Sequence, residues 1–224
     1  MTEDSKITLE DFLREVFACS AGTATGISKY AIDRRFPVNS VIIKQGDRIG
    51  ATFLVVEGRA QARSYGHEGQ VVLLHEYGRG DFFGAIADTT PEPETADVVA
   101  IKEVRAAVFR LQDFVSLVES HGCVARALTC TLLKELRLTR SKMTNRTILS
   151  AAGRVHAELL RLARRGDGMS IRPVPVLANL AVHVQTTRET VSRAINALER
   201  RGIIRREPDA LVIVAPHRLE ELIV

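Results

Sequence analysis

Short apolar segments follow one another along the chain between about residue 36 and residue 112. The segments SVIIK, TFLVVEG, QARSYG, QVVLLHEY, ADVVAI and RAAVFRL are rich in β-branched residues, and glycines separate them. Regularly spaced short strands with glycine turns are typical of an antiparallel sandwich or roll. We therefore predict an antiparallel sandwich or roll in this region.

The hydrophobic pattern changes to a helical period from about residue 111 to residue 147. In the second part of this stretch apolar residues recur at three- to five-residue steps, with basic and polar residues between them: Val124, Leu128, Leu132, Leu136 and then Leu138 or Met143. An apolar stripe on so long a helix needs a partner, either the roll of the same subunit or the same helix of a second subunit. We prefer the second partner, so we expect a homodimer that pairs through this helix.

The last third of the chain reads as three helices and a hairpin. AAGRVHAELLRLARRG is an amphipathic helix ending at Gly166, LANLAVHV is a shorter one, and TTRETVSRAINALERRG is the third. Thr186 and Glu189 have the Thr-x-x-Glu spacing of a capping box, and Gly202 lies where a helix C-terminus uses glycine. IIRREPDALVIVAP then alternates apolar and polar residues around Pro208 and Asp209, as a β-hairpin does.

These elements predict an α+β protein that ends in a winged helix-turn-helix. We expect a domain of N-terminal helices and a β-roll at residues 1–119, a dimerisation helix with a hinge at 120–149, and a DNA-binding domain at 150–224. The hinge lies in RTILSAAGR, where Ser150 and Gly153 allow the backbone change that reorients the second domain.

The third of these C-terminal helices has a polar face that a solvated helix does not need. Val191, Ala194, Ile195 and Leu198 fall on the face that buries. In a helix-turn-helix the first two turns of the second helix enter the DNA major groove. Arginine bonds guanine through two parallel hydrogen bonds, and a carboxylate accepts from cytosine. We therefore predict base reading in a G·C-containing half-site and contacts to phosphates. The base-reading residues are Arg188, Glu189 and Arg193, and the phosphate contacts are Thr187, Ser192, Arg205 and Arg206.

Charge and composition agree with a nucleic-acid partner for the C-terminal region. The 224 residues include 31 Lys and Arg and 27 Asp and Glu. The excess of positive charge lies after residue 153, where there are 12 basic and 8 acidic residues. No apolar run is long enough for a bilayer, and the N-terminus lacks the order of a signal peptide, so we expect a cytoplasmic protein without membrane contact. The sequence has no motif of a hydrolase, a P-loop or a zinc protease, which argues against an enzyme.

The cysteines and histidines indicate no metal centre and no cofactor. Cys19, Cys123 and Cys130 are too few and too widely spaced for a disulfide scaffold, a zinc site or an iron–sulfur cluster. Cys123 and Cys130 lie one heptad apart and are interpreted as small buried residues, with redox sensing as the alternative. His75 lies in a predicted strand, but a lone histidine is weak support for haem.

Two motifs resemble the Crp/Fnr family of bacterial transcription regulators, the family of the cyclic-AMP receptor protein. TRETVSRAINALERRGII is similar to the family's recognition helix, with Arg188, Glu189 and Arg193 at its base-reading positions, and GDFFGAI followed by TADVVA is similar to its phosphate-binding cassette. The resemblance implies a dimer on a palindrome of TGTGA-like half-sites, with RNA polymerase as a partner if the protein is an activator. Gln185 stands where the family usually has glycine.

The cassette departs from the members that bind cyclic AMP. Those members have Gly-Glu for the ribose hydroxyl and Arg followed by Ser or Thr for the phosphate, whereas this chain has Gly84-Ala85 and Glu94-Thr95. We expect an effector other than conventionally bound cyclic AMP, or none. Thr139 matches the family's base-contacting threonine and leaves open a modified pocket that responds to a cyclic nucleotide or dinucleotide. A different-class alternative is a regulatory module that acts through protein partners.

Overall fold

The computed structural model describes residues 7–65, 71–86, 92–166 and 169–223. The chain forms two compact units, Met1–Leu136 and Arg137–Val224, and the boundary falls within one long helix. The predicted division into 1–119, 120–149 and 150–224 would set that helix apart as a segment of its own, and it stays a prediction. Each unit is described by itself below.

The first unit is a six-stranded antiparallel sheet with helices at both ends of its sequence. Strand β6 pairs with β1, β2 and β3, and β3 pairs also with β4 and β5. The elements are α1 (Leu9–Phe17), α2 (Ala21–Ser28), β1 (Ala31–Phe36), β2 (Val41–Ile43), β3 (Ala51–Tyr65), β4 (Val71–Tyr77), β5 (Phe82–Gly84), β6 (Asp97–Arg110), α3 (Leu111–Ser120) and the first part of α4 (Gly122–Ile148).

The predicted roll is confirmed, but four of the six predicted segments merge into two longer strands. TFLVVEG and QARSY belong to the single strand β3, and DVVAI and RAAVFR belong to β6. Gly58, interpreted as a turn, instead lies inside β3 with a φ of +88°, where the register against β6 shifts. A Cβ there would lie 1.8 Å from the carbonyl oxygen of Glu103, so only glycine lets the two strands approach.

The sequence analysis missed two strands, β1 because most of its residues are exposed and β5 because it is short and buried. In β1 four of the six residues are exposed, because this strand lies at the edge of the sheet, and its sequence AIDRRF therefore shows no apolar pattern. In β5 only three residues pair, and two of them, Phe82 and Phe83, are buried.

The N-terminal helices close one side of the roll core. Thr8 and Ser20 cap α1 and α2 by accepting hydrogen bonds from the backbone N–H groups of Asp11 and Thr23. The buried faces of both helices share one apolar cluster with the sheet, with α3 and with the first two turns of α4; its largest members are Phe12, Phe17, Phe82, Phe109 and Phe114. Residues up to Leu128 of α4 are therefore part of the roll core.

Beyond the roll core the long helix exposes its apolar residues. Leu132, Leu136 and Met143 are 43%, 47% and 66% exposed in this single chain, whereas Val124 is fully buried. The predicted apolar stripe thus changes from a core contact to an uncovered surface near Leu128. Among the described helices, none is long and apolar enough to cross a bilayer.

The second unit contains the predicted winged helix. After the end of α4 its elements are α5 (Ala151–Arg164), β7 (Ser170–Ile171), α6 (Leu177–His183), α7 (Arg188–Arg200), β8 (Ile204–Arg206), β9 (Leu211–Ile213) and α8 (Pro216–Glu220). Strand β9 pairs antiparallel with both β7 and β8, and β8 and β9 form the predicted hairpin. The apolar faces of α5, α6 and α7 meet the inner residues of this small sheet in one core.

Candidate nucleic-acid interface and sensory pocket

The recognition helix α7 begins one residue later than the capping box predicts. Thr187, not Thr186, is the N-cap, and its hydroxyl oxygen accepts a hydrogen bond from the N–H of Thr190 at 3.2 Å. The backbone N–H of Thr186 instead bonds the carbonyl of Ala181 at 2.9 Å, closing the end of α6. The predicted Thr186–Glu189 capping box is therefore wrong. The predicted C-terminus is right, because Gly202 follows the helix with a φ of +64°.

The turn between α6 and α7 is held by a side chain that the sequence analysis missed. Gln185 has a φ of +53°, the left-handed conformation that favours glycine. Arg154 of α5 donates hydrogen bonds to the carbonyl oxygens of Val184 and Gln185 at 3.0 and 3.2 Å, and to that of Leu149 at 3.2 Å. One guanidinium thus connects the turn of the helix-turn-helix to the end of the predicted hinge.

The three predicted base-reading residues are brought together on the open face of α7. Arg188, Glu189 and Arg193 are all exposed, while Val191, Ala194, Ile195 and Leu198 on the opposite face are buried as predicted. Hydrogen bonds from its own backbone N–H and from Thr187 lower the pKa of Glu189, with smaller contributions from the charges of Arg188 and Arg193. The helix thus presents an ionised carboxylate between two guanidinium groups.

The predicted phosphate contacts lie around this face, two of them already engaged with the protein. Thr187 is exposed at the helix start, and Ser192 is half-buried. In the wing Arg205 donates to Glu207 at 2.9 Å, and Arg206 donates to Asn196 of α7 at 2.6 Å and pairs with Glu199 at 3.3 Å. Such exposed ion pairs contribute about 0–1 kcal/mol, so a DNA phosphate can compete for either arginine.

In the roll, the first half of the cassette is fixed by the backbone. Gly84 has a φ of +83°, and a Cβ there would lie 2.6 Å from the carbonyl oxygen of Ala51. The next residue, Ala85, donates its N–H to that same carbonyl at 3.0 Å, and its own carbonyl accepts from the Thr52 hydroxyl. Ala85 supplies a methyl group where the resemblance implies a ribose-binding carboxylate.

The second half of the cassette contributes the carboxyl group of Glu94. The backbone of Glu94 exchanges hydrogen bonds with the turn before β3, donating to Asp47 at 2.9 Å and accepting from Gly46 at 2.8 Å. Burial raises the pKa of its carboxyl. Thr95 is exposed, and residues 87–91 between the two halves lie outside the described residues.

Tyr77 joins the elements of this pocket, which sequence reasoning did not anticipate. Its ring lies 5.1 Å from that of Phe83, next to Gly84, and 4.6 Å from that of His75. Burial raises the pKa of its hydroxyl, and the negative charges of Glu135, Glu94 and Asp81 raise it further. The carboxylates of Glu135 in α4 and of Asp81 and Glu94, which lie in the segments before and after β5, thus act on one half-buried phenol.

The long helix faces the roll through Glu135, whose carboxylate lies 3.3 Å from His75 Nδ1. Lys134, its neighbour, pairs with Asp81 at 3.2 Å. Thr139 lies one helical turn after Glu135 and is exposed. Of the predicted hinge residues, Ser150 is the N-cap of α5 and accepts from the N–H of Gly153 at 3.0 Å, and Gly153 is buried.

The three cysteines differ in their exposure. Cys130 is exposed, so its interpretation as a small buried residue is wrong, while Cys19 and Cys123 are half-buried. Among the described residues no group of three or more His, Cys, Asp or Glu is arranged to hold a metal ion.

Two domain families match the two units. The cyclic nucleotide-binding domain matches residues 33–121, and the Crp-like helix-turn-helix domain matches residues 153–222. The chain belongs to the Crp/Fnr family. The family resemblance and the fold expected from the sequence are therefore confirmed.

Relatives of this Crp/Fnr chain are transcription regulators, in agreement with the prediction that it is not an enzyme. It is 29% identical over 191 residues to the cyclic AMP receptor protein of Thermus thermophilus, an alignment that covers 84% of this chain and 87% of the relative. It is 27% identical over 189 residues to a CRP-like cAMP-activated global transcriptional regulator of Mycobacterium tuberculosis, with 82% and 84% covered.

Solved structures of the family share the fold. A mutant of CooA from Carboxydothermus hydrogenoformans superposes with a TM-score of 0.79 at 19% identity, covering 95% of both chains. The c-di-GMP responsive global regulator CLP of Xanthomonas campestris superposes with a TM-score of 0.74 at 19% identity, covering 87% of this chain and 99% of CLP.

Proposed function

We propose that this Crp/Fnr regulator binds DNA as a homodimer and reads a palindrome of TGTGA-like half-sites with α7. The observation that carries the proposal is the exposed set of Arg188, Glu189 and Arg193 within the first two turns of that helix. These groups match the acceptors of guanine and the amino group of cytosine in the major groove. If the regulator activates transcription, RNA polymerase is a further partner.

Phosphate contacts from the wing and from the start of α7 would fix the helix in the groove. Thr187, Ser192, Arg205 and Arg206 border the base-reading face along the chain, and the last two are exposed cations. Phosphate contacts set register and orientation without reading sequence. Their loss should therefore weaken binding to all duplexes alike and reduce the salt dependence of affinity.

The dimer would form through the uncovered part of α4. Leu132, Leu136 and Met143 are exposed in the single chain and, with Thr139, follow alternating steps of four and three residues. That spacing is the seam of a two-stranded coiled coil. A two-fold axis along this seam would present two recognition helices to half-sites about one DNA turn apart.

We further propose that the roll does not accept cyclic AMP in the pose that the family resemblance implies. The cassette offers Ala85 and Glu94 in place of a ribose acceptor and a phosphate cation, and Glu135 and Asp81 add negative charge near Tyr77. One unit charge at about 4 Å contributes roughly 4 kcal/mol at an effective dielectric constant near 20. Repulsion in place of attraction would lower affinity by several powers of ten. A different effector, a modified cyclic nucleotide or dinucleotide pose, or an empty roll fits this surrounding.

Selection of binding sites from random duplexes tests the DNA proposal. The selected sequence should be a palindrome, and Arg188→Ala or Arg193→Ala should weaken its binding. Because a bidentate arginine contributes about 1–3 kcal/mol per base pair, a dimer that uses both half-sites should lose at least about 30-fold in affinity. Arg200→Ala, an exposed arginine at the other end of α7, is the matched control. Full affinity for DNA in both test variants would indicate that a different surface contacts DNA. It would also favour the alternative in which α7 contacts protein partners.

Calorimetric titration tests the effector proposal separately. Wild-type protein should show no micromolar binding of cyclic AMP, and Ala85→Glu combined with Glu94→Arg should increase the affinity. Cyclic di-GMP and other cyclic nucleotides are titrated in parallel. Micromolar binding of cyclic AMP by the wild type, not improved by Glu94→Ala, would overturn this part.

A further inference from the structure

A side chain of the wing is tied to the recognition helix at Asn196. The guanidinium of Arg206 in β8 donates a hydrogen bond to Oδ1 of Asn196 at 2.6 Å and pairs with the carboxylate of Glu199 at 3.3 Å. Asn196 and Glu199 lie three residues apart on α7, so one arginine contacts two neighbouring positions of that helix. Asn196 is exposed, and the sequence analysis assigned it no role.

The backbone around this arginine is fixed at both ends. The N–H of Gly202 bonds the carbonyl of Glu199 at 2.9 Å, so the chain turns directly from α7 into β8. Within the hairpin Arg206 lies opposite Leu211, whose side chain is buried in the core of this unit. Arg206 therefore reaches α7 from an ordered strand, and its contact with Asn196 needs little rearrangement to persist on DNA.

The contact with Arg206 fixes which atom of the amide is left for DNA. A guanidinium group has N–H donors and no acceptor, so the amide atom that it contacts must be the oxygen. The –NH2 group lies on the other side of the amide, and Nδ2 bonds no further group among the residues that the structure describes. Asn196 thus presents hydrogen-bond donors on the open face of α7.

The position of Asn196 along the helix suits contact with a base. Glu189, Ser192, Arg193 and Asn196 follow the spacing i, i+3, i+4 and i+7, which puts them on one ridge of α7. Recognition helices of the homeodomain type contact DNA through residues at this same spacing. Asn196 lies about 4.5 Å beyond Arg193 along the helix axis, close to the step of about 3.4 Å between base pairs. The ridge therefore places it beside the base pair proposed for Arg193.

We propose that Asn196 is a further base-reading residue, which Arg206 orients so that the amide donates to guanine in preference to adenine. This role rests on the proposed reading of DNA by α7. Guanine presents two acceptors in the major groove, O6 and N7, whereas adenine presents N7 beside an amino donor, and asparagine recognises adenine through both amide atoms. With Arg206 at Oδ1, the adenine amino group would meet an oxygen that already accepts from a cation, so guanine is the favoured purine.

Affinities of the full-length protein for variants of the selected duplex test this role. Each base pair is replaced in turn, symmetrically in both half-sites, and wild type is compared with Asn196→Ala. At one position the wild type should favour guanine over adenine by about 10-fold or more, and Asn196→Ala should lose this preference.

At that same position Arg206→Met should reverse the preference in favour of adenine, because the released amide can use both of its atoms. The readout is the ratio of the two affinities. Loss of a phosphate contact by Arg206 would weaken binding to both duplexes alike and would leave this ratio unchanged.

Asn196→Asp separates base reading from a merely structural link between wing and helix. Aspartate keeps an oxygen for Arg206 but donates no hydrogen bond, so the preference for guanine should be lost as in Asn196→Ala. Arg200→Ala, an exposed residue one turn later, should keep the preference.

Three results would overturn the role of Asn196 while leaving base reading by α7 intact. They are a guanine preference retained in Asn196→Asp, an equal loss at every position in Asn196→Ala, and an unchanged preference in Arg206→Met. In each case the selected palindrome and its dependence on Arg193 would remain. A wild type that selects no sequence would overturn the proposed function and this role together.

Discussion

Replacement of Arg154 by methionine should loosen the helix-turn-helix turn. Its guanidinium donates three hydrogen bonds, to the carbonyl oxygens of Val184, Gln185 and Leu149, at 3.0 to 3.2 Å. Hydrogen bonds from a charged group contribute about 1.5–3 kcal/mol each, and less where water competes, as it does for this half-buried side chain. A total loss of about 2–4 kcal/mol is expected, while methionine preserves most of the aliphatic packing.

Hydrogen exchange measured by mass spectrometry on the full-length protein resolves this effect by segment. At about 1.4 kcal/mol per factor of ten, amides in α6 and the following turn should exchange about 30- to 1,000-fold faster in Arg154→Met. Arg164→Met is the matched control, because Arg164 lies on the same helix as Arg154 and its replacement removes only an exposed ion pair with Glu220 of α8. Equal exchange in the two variants would refute the role of Arg154 as the clamp of the turn.

Three further substitutions test local features. Gln185→Gly should stabilise the DNA-binding unit by about 1 kcal/mol, because it relieves the left-handed φ of +53°; a lower urea midpoint would contradict this. Ser150→Ala should cost about 1 kcal/mol, because it removes the cap of α5, and should alter DNA affinity; Ser150→Asp should restore the cap. Glu94→Gln should stabilise the roll at pH 7 but not below pH 4. A carboxyl whose pKa is raised in the folded state destabilises that state when it ionises, and this cost disappears where the carboxyl is protonated. A pH-independent difference in urea unfolding would show that burial of charge is not the cause.

The DNA-binding unit could be predicted in detail because its signals are local. The apolar face of α7, Gly202 after its end and the alternation around Pro208 all lie within a few residues of the structure they determine. One error, a cap at Thr186 instead of Thr187, arises because the closing bond of α6 uses the N–H of Thr186, and the short elements β7 and α8 were not predicted. The turn clamp was missed because Arg154 is about 30 residues away from the carbonyls that it bonds.

The roll was predicted in class but not in its pairing or in its pocket. Gly58 reads as a turn in sequence, yet a close approach to Glu103 in the neighbouring strand explains it. The acidic surrounding of Tyr77 includes Glu135, which lies dozens of positions away in the sequence. Side-chain contacts of this kind depend on tertiary packing, which no local pattern encodes.

Guanidinium groups of α7 are proposed to read specific base pairs. A double-mutant cycle tests this proposal most directly: affinities of wild-type protein and Arg193→Ala are measured for the selected duplex and for duplexes with a single G·C pair replaced symmetrically in both half-sites. If Arg193 reads one base pair, one position should show a coupling energy of about 1–3 kcal/mol per half-site and the other positions should show none. Equal losses at every position, with no coupling anywhere, would contradict base reading by this arginine.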